Sequence, residues 1–450
     1  MSEIRIGFSS YLKDFLSNKM GLAGLAILIV LLIFTGIALS IPSNVYHAWF
    51  NPAAWEEYPR HVPPAWMSIF YPGKYFTSEN LSPTNISIKS YGKNLYIAIV
   101  SYQFNWSKKL PPPDVYFLVY CNTTSGEEEI YWTKPDGNTI EILVPSSSYN
   151  ELFDLISVKS GIIDYIFSVT GKMPSTVSSE LLSSALFNSP KSDFTVTEQG
   201  KYSVKIEIIS LSPIKITASY LLLIGNSYGL MGTDYFGRPI DLGILLGLPN
   251  ALGIGALTSV VSVLVGVFVG GIAGYLGGNK DAAIQWVILV FLTLPTLPFL
   301  IAVSFVVRPS LVLEALLISF LSWPGYAIIA RSAALSIKSN AFVEADKLLG
   351  IPSYRVFFTH FMPRLIPMTV AYMALAVPGG ILLSQSLAFL GIAPANTVNW
   401  GEMLNSAYTY QAQANGYWWW VIFPGLMIVI VSMAFVFIGF AIEKVTLGER

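Results

Sequence analysis

Residues 21–41 read GLAGLAILIVLLIFTGIALSI, an unbroken run of apolar and small residues without a charge. A membrane-spanning helix needs about 20 predominantly apolar residues, so this run is long enough to cross a bilayer. The alternative is a cleaved signal peptide, since Ala38-Leu-Ser40 resembles a cleavage site. The apolar part of a signal peptide covers only about 7–15 residues, however. We therefore interpret 21–41 as a retained transmembrane helix.

Further uncharged stretches predict five more spans, which gives six in all. They lie at 252–276, 284–307, 311–330, 365–387 and 418–442. Hydrophobic residues make up 53% of the chain and charged residues 12%, whereas a soluble domain carries about 25% charged residues. The charges are concentrated, because 31 of the 53 charged residues lie within 42–240. The sequence thus predicts an α-helical polytopic membrane protein with one water-facing segment between the first two helices.

The distribution of Lys and Arg in the short loops predicts the orientation. Residues 1–20 carry three of these cations and residues 331–364 carry five, whereas 388–417 carry none. Both termini and the loop at 338–363 are therefore predicted to be cytoplasmic, and 42–230 to be extracellular. One apolar stripe at helical spacing consists of Phe8, Tyr11, Leu12, Phe15 and Leu16. Residues 1–20 are accordingly interpreted as an interfacial helix on the cytoplasmic surface.

The segment 42–230 is long enough to fold around its own core as an α+β domain. Stretches rich in β-branched and aromatic residues predict strands at 115–120, 129–133, 139–144 and 202–210. Helices are predicted at 151–168 and 178–187. The expected core residues are Phe117, Trp132, Ile142, Leu152, Phe167 and Ile206.

Four N-x-S/T sequons occur in the whole chain, at Asn80, Asn85, Asn105 and Asn122. All four lie in the segment predicted to be extracellular, which agrees with N-glycosylation. The alternative is chance, because the segment is rich in Asn and Ser. If these sites are glycosylated, they imply an archaeal or eukaryotic surface.

Several kinds of chemistry lack support in the sequence. No G-x-x-x-x-G-K-[ST] or H-E-x-x-H motif occurs, so we predict neither a nucleotide site nor a catalytic residue in this chain. One cysteine, Cys121, and three scattered histidines predict no metal site. A net charge of −1 without a long basic run argues against nucleic acid as a partner. Glu314 is the only ionisable residue in predicted spans two to six, whereas ion-coupled transporters usually use several.

Residues 344–363 read EADKLLGIPSYRVFFTHFMP, and this loop carries the most informative motif. The pattern predicts a short helix, a sharp turn at Gly350, and a second helix that packs Val356, Phe357 and Phe361 against the spans. It resembles the cytoplasmic loop of the permease subunits of ABC importers. The resemblance implies coupling to an ATPase through Glu344, Ala345, Asp346, Gly350, Arg355 and Pro363. Asp346 departs from the Ala that is usual at its position.

Three further motifs resemble the C-type permeases of the peptide/nickel importers. The first, with the pattern G-T-D-x-x-G-R, consists of Gly232, Thr233, Asp234, Gly237 and Arg238. The other two are Trp323-Pro-Gly-Tyr-Ala327 in the fourth span, and Leu387–Gly391 followed by Trp400–Leu404. The resemblance covers 8–41 and 229–450, and leaves 42–228 without a counterpart.

The resemblance implies a type I ABC importer permease with five spans in a core at 231–450 and a coupling loop at 338–363. The chain is then a transport subunit and not an enzyme, and forms half of a pathway for oligopeptides, with an archaeal oligopeptide transporter as the favoured identity. Oligosaccharides are the alternative cargo. The implied partners are a second permease subunit, two ABC ATPase subunits that bind ATP and Mg²⁺, an extracellular substrate-binding protein and membrane lipid. No cofactor is implied in this chain.

Ser384, Gln385 and Ser386 are candidates for the wall of the translocation pathway, because they are polar but uncharged. The alternative is hydrogen bonding between helices in the membrane. Two other classes of protein compete with an ABC permease, namely a secondary transporter and a membrane-anchored receptor. The scarcity of charges within the spans disfavours the secondary transporter.

Overall fold

The structure is a computed structural model that describes residues 14–91, 95–122, 127–144, 153–307, 310–341, 343 and 349–447. These residues form two compact units, which are described separately: a membrane unit up to Asn51 and from Leu242 onward, and an insert unit, Pro52–Asp241. The helices in chain order are α1 (Lys19–Ser40), α2 (Ser43–Ala48), α3 (Met67–Phe70), α4 (Lys159–Thr170), α5 (Ser179–Phe187), α6 (Ile240–Leu276), α7 (Gly278–Thr293), α8 (Thr296–Val306), α9 (Leu311–Lys338), α10 (Ser353–Val356), α11 (Met362–Phe389), α12 (Trp400–Thr409) and α13 (Trp418–Leu447). Most of the predicted interfacial helix at 1–20 lies outside the described residues.

In the described part of the chain, five helices are long and apolar enough to cross a membrane. They are α1, α6, α9, the continuous helix from α10 to α11, and α13. Side chains define where two of them begin. Asn18 accepts hydrogen bonds from the backbone N–H groups of Met20 (2.9 Å) and Gly21 (3.4 Å), and Ser310 accepts one from Leu313 (3.3 Å). Such N-caps satisfy backbone donors that the first helical turn leaves unpaired.

The predicted span at 284–307 is broken in the structure. Helices α7 and α8 meet at an angle of 78° across Leu294 and Pro295. Pro295 has no backbone N–H to donate, and the residue before a proline is disfavoured in the helical conformation, so the helix ends there. The bent pair together can provide the sixth crossing, in agreement with the six predicted spans.

A stripe of glycines brings α6 into close contact with α9. Gly266, Gly270 and Gly274 recur every four residues, so they lie on one side of α6. A Cβ atom at Gly270 would be 2.0 Å from the carbonyl oxygen of Ala327, and one at Gly266 would be 2.5 Å from that of Trp323. Small residues at this spacing allow membrane helices to approach until their backbones touch. The spacing of these glycines is visible in the sequence, whereas the helix that they contact is not.

The described residues of the insert unit form eight strands in two antiparallel sheets. The strands are β1 (Glu79–Leu81), β2 (Asn85–Tyr91), β3 (Leu95–Trp106), β4 (Val115–Cys121), β5 (Glu127–Thr133), β6 (Thr139–Leu143), β7 (Gly200–Ser210) and β8 (Ile216–Leu223). One sheet has the order β1-β8-β4 and the other β2-β3-β7-β5-β6. Alternate residues of β3 and β7 are buried, as expected for strands with one face on a core. The predicted strands correspond to β4, β5, β6 and β7, whereas β1, β2, β3 and β8 were not predicted.

One hydrophobic core joins side chains from both sheets with side chains from α4 and α5. Of the predicted core residues, Phe117, Trp132, Ile142 and Ile206 are fully buried. The prediction for Phe167 is wrong, because Ile162 and Ile166 form the buried side of α4 and Phe167 is 47% exposed. Leu152 lies outside the described residues. The α+β character of the insert agrees with the prediction.

The bounds of this unit differ from the predicted 42–230 by about ten residues at each end. At the first end, 43–48 forms α2 and belongs to the membrane unit. At the second end, 231–241 belongs to the insert unit because it pairs with its first residues. The backbone N–H of Thr233 donates to the carbonyl of Val62 (3.0 Å), and that of His61 donates to the carbonyl of Asp234 (3.1 Å).

The raised pKa values of two buried acidic side chains predict that the insert unit is more stable at acidic than at neutral pH. Burial raises the pKa of Asp114 from 3.8 to about 6, although the carboxylate accepts backbone hydrogen bonds from Val115 and Leu155, and burial raises that of Glu128 from 4.5 to about 7. The folded state therefore binds these protons more tightly than the unfolded state. The contribution of these two groups to stability is largest below about pH 4 and is lost as the pH rises to about 7; for Asp114 alone the loss is about 3 kcal/mol.

This pH dependence can be measured by hydrogen exchange of the insert strands in the full-length protein, corrected for intrinsic rates. We expect slower exchange at pH 4 than at pH 7, and a flatter profile in Asp114→Asn. The exposed Asp164→Asn on α4 is the matched control, with a profile like that of the wild type. Stability that rises between pH 4 and pH 7 would contradict the prediction.

Candidate functional site

The predicted coupling loop follows the end of α9. The first part of its motif, with Glu344, Ala345 and Asp346, lies outside the described residues. Gly350 adopts a left-handed backbone conformation with φ of +71°, and a Cβ atom there would meet no atom within 4 Å. This conformation is accessible to glycine at little cost, and it makes the sharp turn that the sequence predicts at this position.

The chain after Gly350 packs aromatic side chains against the end of α6. Helix α10 continues through a π-helical turn, Phe357–Phe361, into α11. Phe357 and Phe361 are buried, and the ring of Phe361 meets that of Tyr275 edge-on with centroids 4.7 Å apart. Val356 is also fully buried. The predicted packing of these three residues against the spans is therefore confirmed, and the loop is fixed to α6 by an aromatic cluster.

The other side of the same segment is exposed and partly apolar. Tyr354 and Phe358 are one helical turn apart, so they lie on one face, and they are 70% and 58% exposed. Leu349 is 77% exposed, and Arg355 is also exposed. We call Leu349, Tyr354, Arg355 and Phe358 the loop surface. Pro363 lies in the first turn of α11, directly after the π-helical turn.

An ion pair connects α7 to α9 in the same region of the membrane unit. Arg331 donates from Nε and Nη2 to the two carboxylate oxygens of Asp281, at 2.7 Å each. Lys338 Nζ donates to the carbonyl of Leu276 at the end of α6 (3.1 Å). A bidentate arginine–carboxylate pair fixes orientation as well as distance. The partners are 50 residues apart in sequence, and no local pattern pairs them.

The residues of the G-T-D-x-x-G-R motif form a tight turn in the insert unit. Asp234 accepts from the backbone N–H groups of Phe236 and Arg238 (2.9 Å each) and pairs with Arg238 Nε at 2.6 Å. Thr233 Oγ1 donates to the carbonyl of Pro59 (2.6 Å). Gly232 and Gly237 have φ of +78° and +85°. Asp234 is buried, so this motif stabilises the turn before α6 through its own side chains.

The structure places the three pathway candidates in different environments. Ser384 and Gln385 are buried within the membrane unit, and Ser386 is half-buried. Gln385 Oε1 accepts a hydrogen bond from the backbone N–H of Gly401 at the start of α12 (2.7 Å). For Gln385, hydrogen bonding between helices is therefore the observed arrangement. A role of these residues in the pathway stays a prediction.

Helix α12 is fixed in the membrane unit by a buried tryptophan. Trp400 Nε1 donates to the carbonyl of Ile244 on α6 (3.1 Å), and a Cβ atom at Gly247 would be 2.6 Å from that nitrogen. Asn250 Nδ2 donates to the carbonyl of Val398 (3.0 Å). The Trp400–Leu404 motif thus stabilises packing between α12 and α6.

The four sequons lie on the surface of the insert unit. Asn80, Asn85 and Asn105 are exposed residues of β1, β2 and β3, and Asn122 is exposed directly after β4. The side chain of Asn122 also donates to the carbonyl of Pro213 (3.2 Å). Their glycosylation stays a prediction.

Comparisons with known proteins agree with the geometry of the membrane unit. Residues 266–446 match the family described as "Binding-protein-dependent transport system inner membrane component". Over 216 residues the chain is 32% identical to the dipeptide transport system permease protein of Haemophilus influenzae, covering 48% of this chain and 72% of that protein. It is 30% identical over 215 residues to the oligopeptide transport system permease protein of the same organism, covering 48% and 68%. It is 29% identical over 247 residues to the corresponding oligopeptide permease of Lactococcus lactis subsp. lactis, covering 54% and 83%.

The apolar helices that can cross a membrane define a multi-pass membrane protein. The chain belongs to the family of permease components of binding-protein-dependent ABC importers. It is therefore a transport subunit and not an enzyme. Proteins of this family work with ATPase and substrate-binding partners.

Proposed function

We propose that this chain forms one half of the translocation pathway of an ABC importer for oligopeptides. The observation that carries the proposal is the identity of 30–32% with permeases named for oligopeptides and dipeptides, over about half of this chain. These names favour peptides over the alternative of oligosaccharides. Membership of the permease family argues against a secondary transporter and against a receptor that only anchors in the membrane.

The loop surface is proposed to bind a cytoplasmic ATPase subunit together with Glu344, Ala345 and Asp346. Its exposed apolar side chains, next to Arg355, have the composition of a docking surface with an apolar centre and a polar rim. On the opposite side, Phe357 and Phe361 contact Tyr275, so a displacement of the loop is transmitted directly to α6. This arrangement supports a mechanical connection between ATP hydrolysis and movement of the spans.

The proposed complex contains a second, similar permease subunit and two ATPase subunits, which bind ATP and Mg²⁺; this chain contributes no cofactor. The bias of Lys and Arg supports cytoplasmic termini and an extracellular insert. In that orientation the insert can help to receive the substrate-binding protein, with glycans at the exposed sequons away from the contact. An archaeal source agrees with such glycans.

The function can be tested by reconstituting this permease with its partner subunits and substrate-binding protein in liposomes. We expect ATP-dependent uptake of labelled oligopeptides, and no uptake when ATP or the binding protein is omitted. An excess of unlabelled oligopeptide should compete, whereas an equal excess of oligosaccharide should not. Competition by the oligosaccharide alone would reject peptides as the cargo, and uptake without ATP would reject the ABC mechanism.

A further inference from the structure

The insert unit carries a cluster of exposed apolar side chains that its own core leaves uncovered. Ile69, Phe70 and Leu230 are 74%, 69% and 71% exposed, and the aromatic ring of Trp66 meets that of Phe70 edge-on at 6.1 Å. We call this cluster the aromatic patch, and it consists of Trp66, Ile69, Phe70, Tyr71, Leu110 and Leu230. A contiguous group of this kind on a water-facing domain indicates an interaction surface.

Basic side chains lie beside the aromatic patch. Lys74 Nζ lies over the rings of Tyr71 (5.7 Å) and Tyr75 (5.3 Å). Lys109, Phe70 and Leu110 line the same shallow groove. No acidic residue occurs between Arg60 and Glu79. Tryptophan, tyrosine and lysine together are typical of the boundary between a bilayer and water, where amphipathic rings and cations meet lipid headgroups.

Hydrogen bonds connect the aromatic patch to the start of α6. Trp66 Nε1 donates to the carbonyl of Leu230 (2.9 Å), and the backbone N–H of Ala65 donates to that of Gly229 (3.0 Å). The backbone N–H of Leu230 in turn donates to the carboxylate of Asp241 (3.1 Å). Asp241 is the second residue of α6, and no charged residue follows it until Lys280. The patch is therefore fixed to the last charged residue before a membrane-spanning stretch.

We propose that the aromatic patch inserts into the headgroup region of the surrounding bilayer and anchors the insert on the membrane surface. The hydrogen bond from Leu230 to Asp241 joins the patch to the last charged residue before the apolar part of α6, and the composition of the patch suits the boundary between lipid and water. Lys74 and Lys109 add attraction to anionic lipids. A protein partner at this surface is the competing outcome, and it gives a different result in the test below.

The test uses the full-length chain in nanodiscs that contain no other protein. A nitroxide is attached to Ile69→Cys, with Val196→Cys, which replaces a residue 60% exposed on the same unit, as the matched control. The native Cys121 is buried, so the introduced thiols are labelled selectively. Collision rates of the nitroxide with oxygen, which concentrates in lipid, and with a water-soluble nickel chelate are then compared.

We expect the label at Ile69 to favour oxygen over nickel several-fold more than the label at Val196. The preference should increase when anionic lipid replaces part of the zwitterionic lipid, and Lys74→Ser with Lys109→Ser should remove that increase. Equal, water-like accessibility at both positions would overturn the proposal and would favour a separate protein partner, which the nanodiscs lack. Protection of Ile69 from both reagents would also overturn it, because it indicates contact with protein of this chain or of a second copy. Neither result depends on peptide transport, so failure here leaves the proposed function untouched.

Discussion

Gly270→Ala is expected to disrupt the packing of α6 against α9 and to lower the thermal stability of the membrane unit. The added Cβ atom would be 2.0 Å from the carbonyl oxygen of Ala327, and this neighbour is backbone that cannot rotate away. The helices must therefore separate along the glycine stripe of Gly266, Gly270 and Gly274. Overpacking of this kind costs about 1–3 kcal/mol.

Gly253→Ala is the matched control, since Gly253 lies on the same helix and its Cβ position has no atom within 4 Å. Here the substitution should stabilise the helix by about 0.5–1 kcal/mol, because alanine loses less backbone entropy than glycine. The same glycine-to-alanine substitution at these two positions of α6 is thus expected to change the stability of the protein in opposite directions.

The measurement is the midpoint temperature of unfolding of the purified full-length protein in detergent. We expect Gly270→Ala to lower it by about 5 °C, in line with the usual relation between free energy and midpoint for a domain of this size, and Gly253→Ala to leave it unchanged or raise it. Equal midpoints for the two variants would show that the close approach of α6 and α9 is not a determinant of stability.

Substitutions of Gly350 are expected to uncouple transport from ATP hydrolysis. The relative effects of asparagine, alanine and valine should show whether backbone strain or side-chain size is the cause. The backbone at Gly350 has φ of +71°, a region that costs an ordinary L-residue roughly 1–2 kcal/mol and a β-branched one more. Asparagine tolerates this region better than other residues. If coupling requires this backbone conformation, ATP-driven uptake should decrease in the order glycine, asparagine, alanine, valine.

The surroundings of Gly350 make this order informative. A Cβ atom at this position meets nothing within 4 Å, so the Cβ atom that each variant adds does not clash with the described part of the chain. If the ATPase instead requires a small residue at this point, asparagine should impair coupling more than alanine, because its side chain is larger. Gly350→Asn and Gly350→Ala therefore separate backbone strain from bulk at the docking surface.

The measurements are ATP-driven peptide uptake and co-purification of the ATPase with the permease. We expect Gly350→Val to reduce uptake by about tenfold or more, corresponding to about 1.4 kcal/mol, while the unfolding midpoint of the spans changes little. Wild-type uptake in Gly350→Val would reject a coupling role for this turn.

Much of the membrane unit could be predicted because the relevant signals are local. An uncharged apolar run such as 21–41 must be buried in lipid or in a protein core. A glycine followed by Ile351-Pro352 predicts a turn from backbone sterics alone. The alternation of buried and exposed residues in 354–361 follows from helical spacing, so the burial of Phe357 and Phe361 could also be predicted.

Contacts between residues that are far apart along the chain could not be predicted from the sequence. The pairing of Asp281 with Arg331 joins residues 50 positions apart. Strand β7 pairs with β3, although β4, β5, β6, α4 and α5 lie between them in sequence, and with β5, although β6, α4 and α5 lie between them. Local composition could suggest individual strands and helices there, but it could not give their order in a sheet.

By itself, the sequence determined that this chain crosses the membrane several times, carries a folded insert after the first helix, and has the loop motif of an ABC permease. Only the tertiary structure decided that the third span is bent by 78° at Pro295, that Phe167 faces outward, and that Gln385 serves packing with α12. The physical reason is the range of the forces involved. Hydrophobicity and backbone sterics act on neighbouring residues, whereas burial, register and hydrogen-bond partners are properties of surfaces that meet only when the whole chain has folded.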